Sequence, residues 1–255
     1  MKRSTFCFAI FSALLLTAPL LAEEDDKPKK EKETSKKDDS SFTKNFGEEK
    51  SDLVSSGKNP YFILEPGFVS VYRGKDGDED GRLLIVVTKE TKMVDGVETR
   101  VVEEREAVGG DMVEVSRNFF AISKRTNNVY YFGEETVTYK HGKETGREGS
   151  WEAGVKGAHY GLVMPGVPLL GSKFYQEHAE GEAMDRAEVV SLTTTKKTPM
   201  GDYKNCVKMM ETSPLEAGKE YKIYARGVGL VNDEDLLLVK QGMDIDVAAE
   251  EKAAK

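Results

Sequence analysis

The chain has 255 residues, with 37 Lys and Arg against 45 Asp and Glu and a formal net charge of −8. Acidic and basic residues are interspersed, which leaves no positive face for a phosphate backbone and excludes nucleic acid as a partner. Cys7 and Cys206 are its two cysteines, too few for a disulfide framework.

Lys2 and Arg3 precede an apolar run from Phe6 to Leu16, broken only by Ser12. Thr17, Ala18, Pro19 and Ala22 then lead into the acidic residues Glu23 to Asp26. That order describes a secretory signal peptide over residues 1–22, cut after Ala22. The alternative, an uncleaved anchor, needs about 20 spanning residues, and Pro19 interrupts the end of this run. Cleavage removes Cys7 and two positive charges, which takes the net charge from −8 to −10. The mature chain is expected to be periplasmic or secreted, soluble and without a transmembrane segment. Its single cysteine, Cys206, lies in an apolar stretch and reads as a small buried hydrophobe.

Residues 23–52 hold eleven acids, eight lysines and two aromatics, Phe42 and Phe46. Such a segment has too little apolar surface to offset its ordering entropy and reads as a disordered charged linker.

Residues 53–242 read as a single β-rich domain. Phe68 to Tyr72, Leu83 to Thr88 and Thr99 to Val102 are short β-forming runs, divided by "KDGDEDG" and "VDG". Asp-Gly between such runs predicts hairpins, because both residues tolerate positive φ. In Asp111 to Arg125, Val113, Val115, Phe119 and Ala121 share one parity and are expected to face inward. Asn127-Asn128 and His141-Gly142 are the next turns. Strand-like runs resume at Lys173 to Gln176, Ala187 to Thr193, Asn205 to Met210, Glu220 to Tyr224 and Leu236 to Val239. No long helical period appears, so the expected fold is mainly β. It is an antiparallel meander forming a curved sheet or half-open barrel, with few short helices. Residues 243–255 read as a flexible tail with a transient helix through "VAAEEKAAK".

Ala153 to Gly171 interrupts the rhythm with five glycines, two prolines and one lysine. A long, nearly uncharged connection of this kind either caps the core or covers a pocket. If it covers one, Trp151, Tyr160, Met164 and Tyr175 are the candidate ligand-binding residues.

No catalytic, metal or cofactor signature is found. "DGDEDG" (Asp76 to Gly81) begins like a calcium loop, but Val87 stands where the closing Glu belongs, so a solvated hairpin turn is expected. His141, His159 and His178 have no zinc spacing. Around His178, the acids Glu177, Glu180, Glu182 and Asp185 read as a solvated surface. Glu152 beside Trp151 is a candidate general acid, with Glu177 or Asp185 as a facing carboxylate.

Four blocks, "NPYFILEPGFVSVYRG" (from Asn59), "YYFGEETVTYKHGK" (from Tyr130), "GSWEAGVKGAHYGLVMP" (from Gly149) and "YQEHAEGEAMDRAEVVSL" (from Tyr175), together resemble a family of uncharacterised exported bacterial proteins. The resemblance implies an exported location and carries over no catalytic residue. Some of those relatives look like lipoproteins; this chain has Glu23 where their lipidated cysteine stands. In architecture, the expected meander is similar to the half-barrels of LolA/LolB-like lipoprotein carriers.

The leading functional expectation is an exported, non-catalytic binding module for an apolar small molecule, lipid or protein segment in the cell envelope. A secreted hydrolase using Glu152 with a second carboxylate is the alternative. A structural protein that binds an envelope protein and has no pocket is the third reading.

Overall fold

Tight turns between β-branched runs determine the architecture. Asp95 and Gly96 have φ of 48° and 77°, and His141 and Gly142 have φ of 50° and 74°. Both pairs make the two-residue turns that match strand twist. A computed structural model describes residues 41–252. The expected signal peptide and linker residues 23–40 lie outside the described residues.

Three short strands come first: β1 (Leu53–Val54), β2 (Gly57–Asn59) and β3 (Phe62–Leu64). A five-strand meander follows: β4 (Val69–Asp76), β5 (Glu79–Val94), β6 (Val97–Val108), β7 (Asp111–Ser123) and β8 (Val129–Lys140). The connecting region holds β9 (Lys143–Gly146), β10 (Trp151–Glu152), β11 (His159–Met164), β12 (Lys173–Tyr175) and β13 (Glu177–His178). A second meander comprises β14 (Arg186–Thr198), β15 (Gly201–Thr212), β16 (Glu220–Ala225), β17 (Gly229–Asp233) and β18 (Leu236–Gly242), before the helix α1 (Val247–Lys252).

β18 pairs antiparallel with β4, with Leu238 opposite Tyr72, and so joins the two meanders into one sheet. At the far ends, β11 extends β8 and β12 extends β14. The sheet thereby closes almost into a barrel, as the turn pattern anticipates. Gly161 permits the near-closure, since a Cβ there would run into the backbone carbonyl of Gln176.

Four local expectations change. The Ala153 to Gly171 connection is not irregular throughout, because β11 forms inside it and pairs with both β8 and β13. Residues 41–52, expected to belong to the linker, lie against the barrel instead. Thr43 bridges to Phe174, the Phe42 ring meets Tyr175 edge-on at 6.1 Å, and Phe46 tilts onto Tyr130 at 5.7 Å. Few but well-placed apolar side chains suffice once Glu48 ties the strap down. Its carboxylate accepts from Ser123 Oγ (2.9 Å), Arg125 Nη2 (3.0 Å), Tyr130 OH (3.0 Å) and Thr126 Oγ1 (3.2 Å).

The tail is also docked. Ile245 and Val247 pack on Val69, Val71 and Leu84, while Glu250 pairs with Lys240 at 2.8 Å and Arg73 at 3.4 Å. Finally, the inward parity of β7 is reversed in its first half. Glu114, Ser116 and Asn118 are buried, whereas Val113 and Val115 are half-buried. Register with polar partners explains the reversal: Ser116 stands opposite Glu104 on β6 and Thr136 on β8.

Candidate functional site

Asn59-Pro60-Tyr61-Phe62 is a turn sequence in which proline presets φ and the asparagine side chain holds the backbone two residues on. Asn59 Oδ1 accepts from Tyr61 N at 2.7 Å. Its Nδ2 donates to the Asn127 carbonyl at 2.7 Å and the Pro165 carbonyl at 3.0 Å. Gly227 N donates to the Pro60 carbonyl at 2.7 Å. The β2–β3 hairpin is thus fixed from two sides, as a roof over the joined meanders.

Beneath it lies a cavity of about 70 Å³. A water needs roughly 10–15 Å³ on this measure, so the space takes several heavy atoms. Its upper wall is apolar and half-buried, formed by Tyr61, Phe62, Phe68, Val228 and Leu230. The deep wall is polar, with Ser70 and Tyr72 on β4, Glu104 on β6, Lys222 and Tyr224 on β16, and Asp233 on β17. An apolar mouth over a few convergent polar groups is the usual composition of a small-molecule site.

Lys222 sits opposite Asp233 in the β16–β17 ladder and opposite Met209 in the β15–β16 ladder. Its Nζ lies 3.1 Å from Glu211 Oε2 and 3.8 Å from Asp233 Oδ2. Burial works against the ammonium, but Asp233 and Glu211 outweigh it and hold the pKa well above the usual lysine range. Burial raises the Glu104 carboxyl to about 7, with Lys222 opposing and Asp233 and Glu114 adding to the rise. Glu106, opposite Glu114 in the β6–β7 ladder, is pushed well up by burial and by Glu114 and Glu104.

This carboxyl-rich interior continues towards β13. Glu134 is raised by burial and by Glu114, and Glu177 by burial, Asp185 and Glu134. Burial and Glu211 lift Asp185 to about 6. Gln176 Nε2 donates to Glu211 Oε1 at 2.9 Å. Sequence reading missed this lining, because Glu104 and Glu106 stand among charged neighbours and Glu114 stands between two valines that take the inward parity on apolar content alone. The faint signal was "VVEERE" and "VEVS" inside uninterrupted strand runs.

The four residues named from sequence lie outside this cavity's wall, and Tyr160 instead lines a second, polar cavity of about 120 Å³ with Phe46 and His159. Met164 and Tyr175 are fully buried in the packed interior, and Trp151 is nearly so. Tyr160 stacks on Phe132 at 4.8 Å and meets Tyr130 edge-on at 5.5 Å. Trp151 is nevertheless linked to the cavity through rings. It meets Tyr131 at 5.5 Å, Tyr131 stacks on Phe120 at 4.7 Å, and Phe120 meets Phe62 at 5.2 Å. Val163 and Phe120 are wall residues, so the connection containing β11 reaches the cavity at a position other than those chosen.

Glu152 is held in a salt bridge. It faces Lys92 Nζ at 2.5 Å, which also binds Glu135 at 2.7 Å. Glu177 and Asp185, read as surface, are the buried and half-buried members of their segment, while Glu180 and Glu182 are exposed. The His159 and His178 rings lie 5.6 Å apart, across the β11–β13 ladder. Asp76 and Glu79 face each other across a two-residue hairpin turn, and Asp80 pairs with Lys75 at 2.5 Å. Among the described residues, no three His, Cys, Asp or Glu side chains are placed to hold a metal ion. No described helix is long and apolar enough to cross a membrane.

Comparison with protein-family models, curated proteins and solved structures returned no match for this chain.

Proposed function

We propose that this protein is a non-catalytic binding module, working outside the cytoplasmic membrane, that holds a small amphipathic molecule beneath the β2–β3 hairpin. One observation carries the reading: half-buried Phe62, Phe68 and Leu230 stand over a floor that includes Glu104, Lys222 and Asp233. Apolar wall that faces solvent rather than protein carries a hydration cost, and ionisable groups buried beside it are costly to desolvate. A ligand with an apolar body and a polar head offsets both costs. The proposed location rests on the basic, apolar and small-residue order of Lys2 to Ala22.

Native mass spectrometry of protein recovered from its own source, followed by solvent extraction, tests the proposal. The expected result is a one-to-one adduct that extraction releases. A bare polypeptide mass under gentle ionisation would count against a retained ligand. N-terminal sequencing of fractionated cells should return Glu23 as the first residue of the soluble form, and a full-length chain in the membrane pellet would contradict export with cleavage.

A further inference from the structure

We infer that the ligand carries a cationic nitrogen, an amine or ammonium group set against the Glu104 carboxyl, with its apolar body between Phe62, Phe68 and Phe120. The inference rests on the binding reading above and narrows its chemistry.

The polar floor is unevenly satisfied. Lys222 is the cation on the wall, and its ammonium is already engaged by Glu211 and Asp233. An anionic head would have to compete with those two carboxyls while facing a third. Tyr72 donates its hydroxyl to the Leu230 carbonyl at 3.0 Å, which turns that donor away from an incoming acceptor. Glu104 is different: it lines the cavity, is only 8% exposed, and the one cation acting on it is that same, already engaged Lys222. Two residues along the same strand, the buried Glu106 Oε2 lacks a hydrogen-bond partner. A carboxylate at so little exposure carries a desolvation cost that a ligand N–H offsets.

Electrostatics points the same way. Glu104 is faced by Glu114 from β7, Tyr131 and Glu134 from β8, Glu211 from β15, Lys222 from β16 and Asp233 from β17, with Glu106 on its own strand and Tyr72 on β4. Above about pH 7 the Glu104 carboxylate joins Glu211 and Asp233 against the one lysine, and low-dielectric walls focus such a field on whatever enters. A bare metal ion is a poor fit, since no three described ligating side chains converge. An organic cation uses both halves of the wall, because its apolar portion meets the aromatic rim.

Calorimetric titration of the mature chain with three probes sharing one phenethyl body provides the test. They are 2-phenylethylamine, 2-phenylethanol and 3-phenylpropionate. At about pH 8 the amine should bind at least about tenfold more tightly than the alcohol, with the carboxylate weakest. Amine affinity should fall by about tenfold towards pH 6, as Glu104 gains its proton, while alcohol affinity stays level. Glu104→Gln should erase the amine's advantage and its pH dependence and leave alcohol binding intact. The wild-type probe series needs no variant, so poor folding of that variant leaves the test standing. Equal binding of amine and alcohol overturns the cationic preference and leaves the binding module in place. Tightest binding of the carboxylate overturns it too, in favour of Lys222 as receptor. Failure of all three probes overturns both readings.

Discussion

Replacing Glu48 with alanine should release the strap formed by residues 41–52 and lower the stability of the whole barrel. The carboxylate is nearly fully buried and accepts from Ser123, Arg125, Thr126 and Tyr130. Tyr130 is itself completely buried, so truncation strands its hydroxyl away from water. Hydrogen bonds to charged groups contribute about 1.5–3 kcal/mol each, and a stranded buried donor costs about 1–3 kcal/mol. The four bonds share one acceptor and do not add, so about 3 kcal/mol is expected for the set. For a domain of this size that corresponds to a fall in Tm of about 6–12 °C, read by circular dichroism or calorimetry. Arg125→Ala is the control, since that side chain is 57% exposed and its pairing contributes little. A Tm within about 2 °C of wild type for Glu48→Ala, together with tryptic removal of the chain up to Lys50 at no cost in stability, would refute the packed strap.

Three further outcomes follow from the same geometry. Burial raises Glu104 from 4.5 to about 7, so between those values the folded state keeps a proton that the unfolded chain has released. Stability should therefore fall by about 3 kcal/mol as pH rises from about 5 to about 8. Asp185 and Glu220 act in the same direction. Urea titrations across that range should show the decline, Glu104→Gln should reduce it, and a level profile would contradict the buried carboxyl floor. Gly161→Ala drives a Cβ into the Gln176 carbonyl and should leave the protein poorly folded or strongly destabilised by circular dichroism; wild-type stability would show that the seam between β11 and β12 is not closed. Met164→Ala should cost about 2–5 kcal/mol in urea unfolding, because this side chain is fully buried in the core, and a loss below about 1 kcal/mol would return it to a ligand-facing role.

The turns were the legible part of the fold. Asp95-Gly96 and His141-Gly142 carry the positive φ that their sequence requires, and the runs around Leu83, Thr99 and Leu236 form strands as their alternation implies. Long-range pairing was not legible. β11 lies in a Gly/Pro-rich stretch, yet it finds a place because Gly161 admits the Gln176 backbone. The acid-lined interior defeated the rule that apolar parity faces inward. Glu104, Ser116 and Thr136 form one rung across β6, β7 and β8, and only their partners show which face is covered. The site residues named from sequence lie apart from this cavity for a related reason. Aromatic content drew attention to Trp151 and Tyr160, whereas the cavity arises where Phe62 and Leu230, far apart in sequence, meet around Glu104.

The central claim is that a small amphipathic molecule enters beneath the β2–β3 hairpin, and Trp151 offers the most direct readout. It is the single tryptophan, joined to the cavity wall through Tyr131 and Phe120. Titration with the small neutral probe 2-phenylethanol should saturate at one molecule per chain and shift or quench Trp151 emission. Phe62→Ala should weaken this binding by about tenfold, as expected when one aromatic wall is removed. Leu169→Ala, on an exposed side chain outside the cavity, should leave it unchanged. Unsaturable binding, or binding that responds to Leu169→Ala and ignores Phe62→Ala, would place the apolar site elsewhere on the protein and contradict the account.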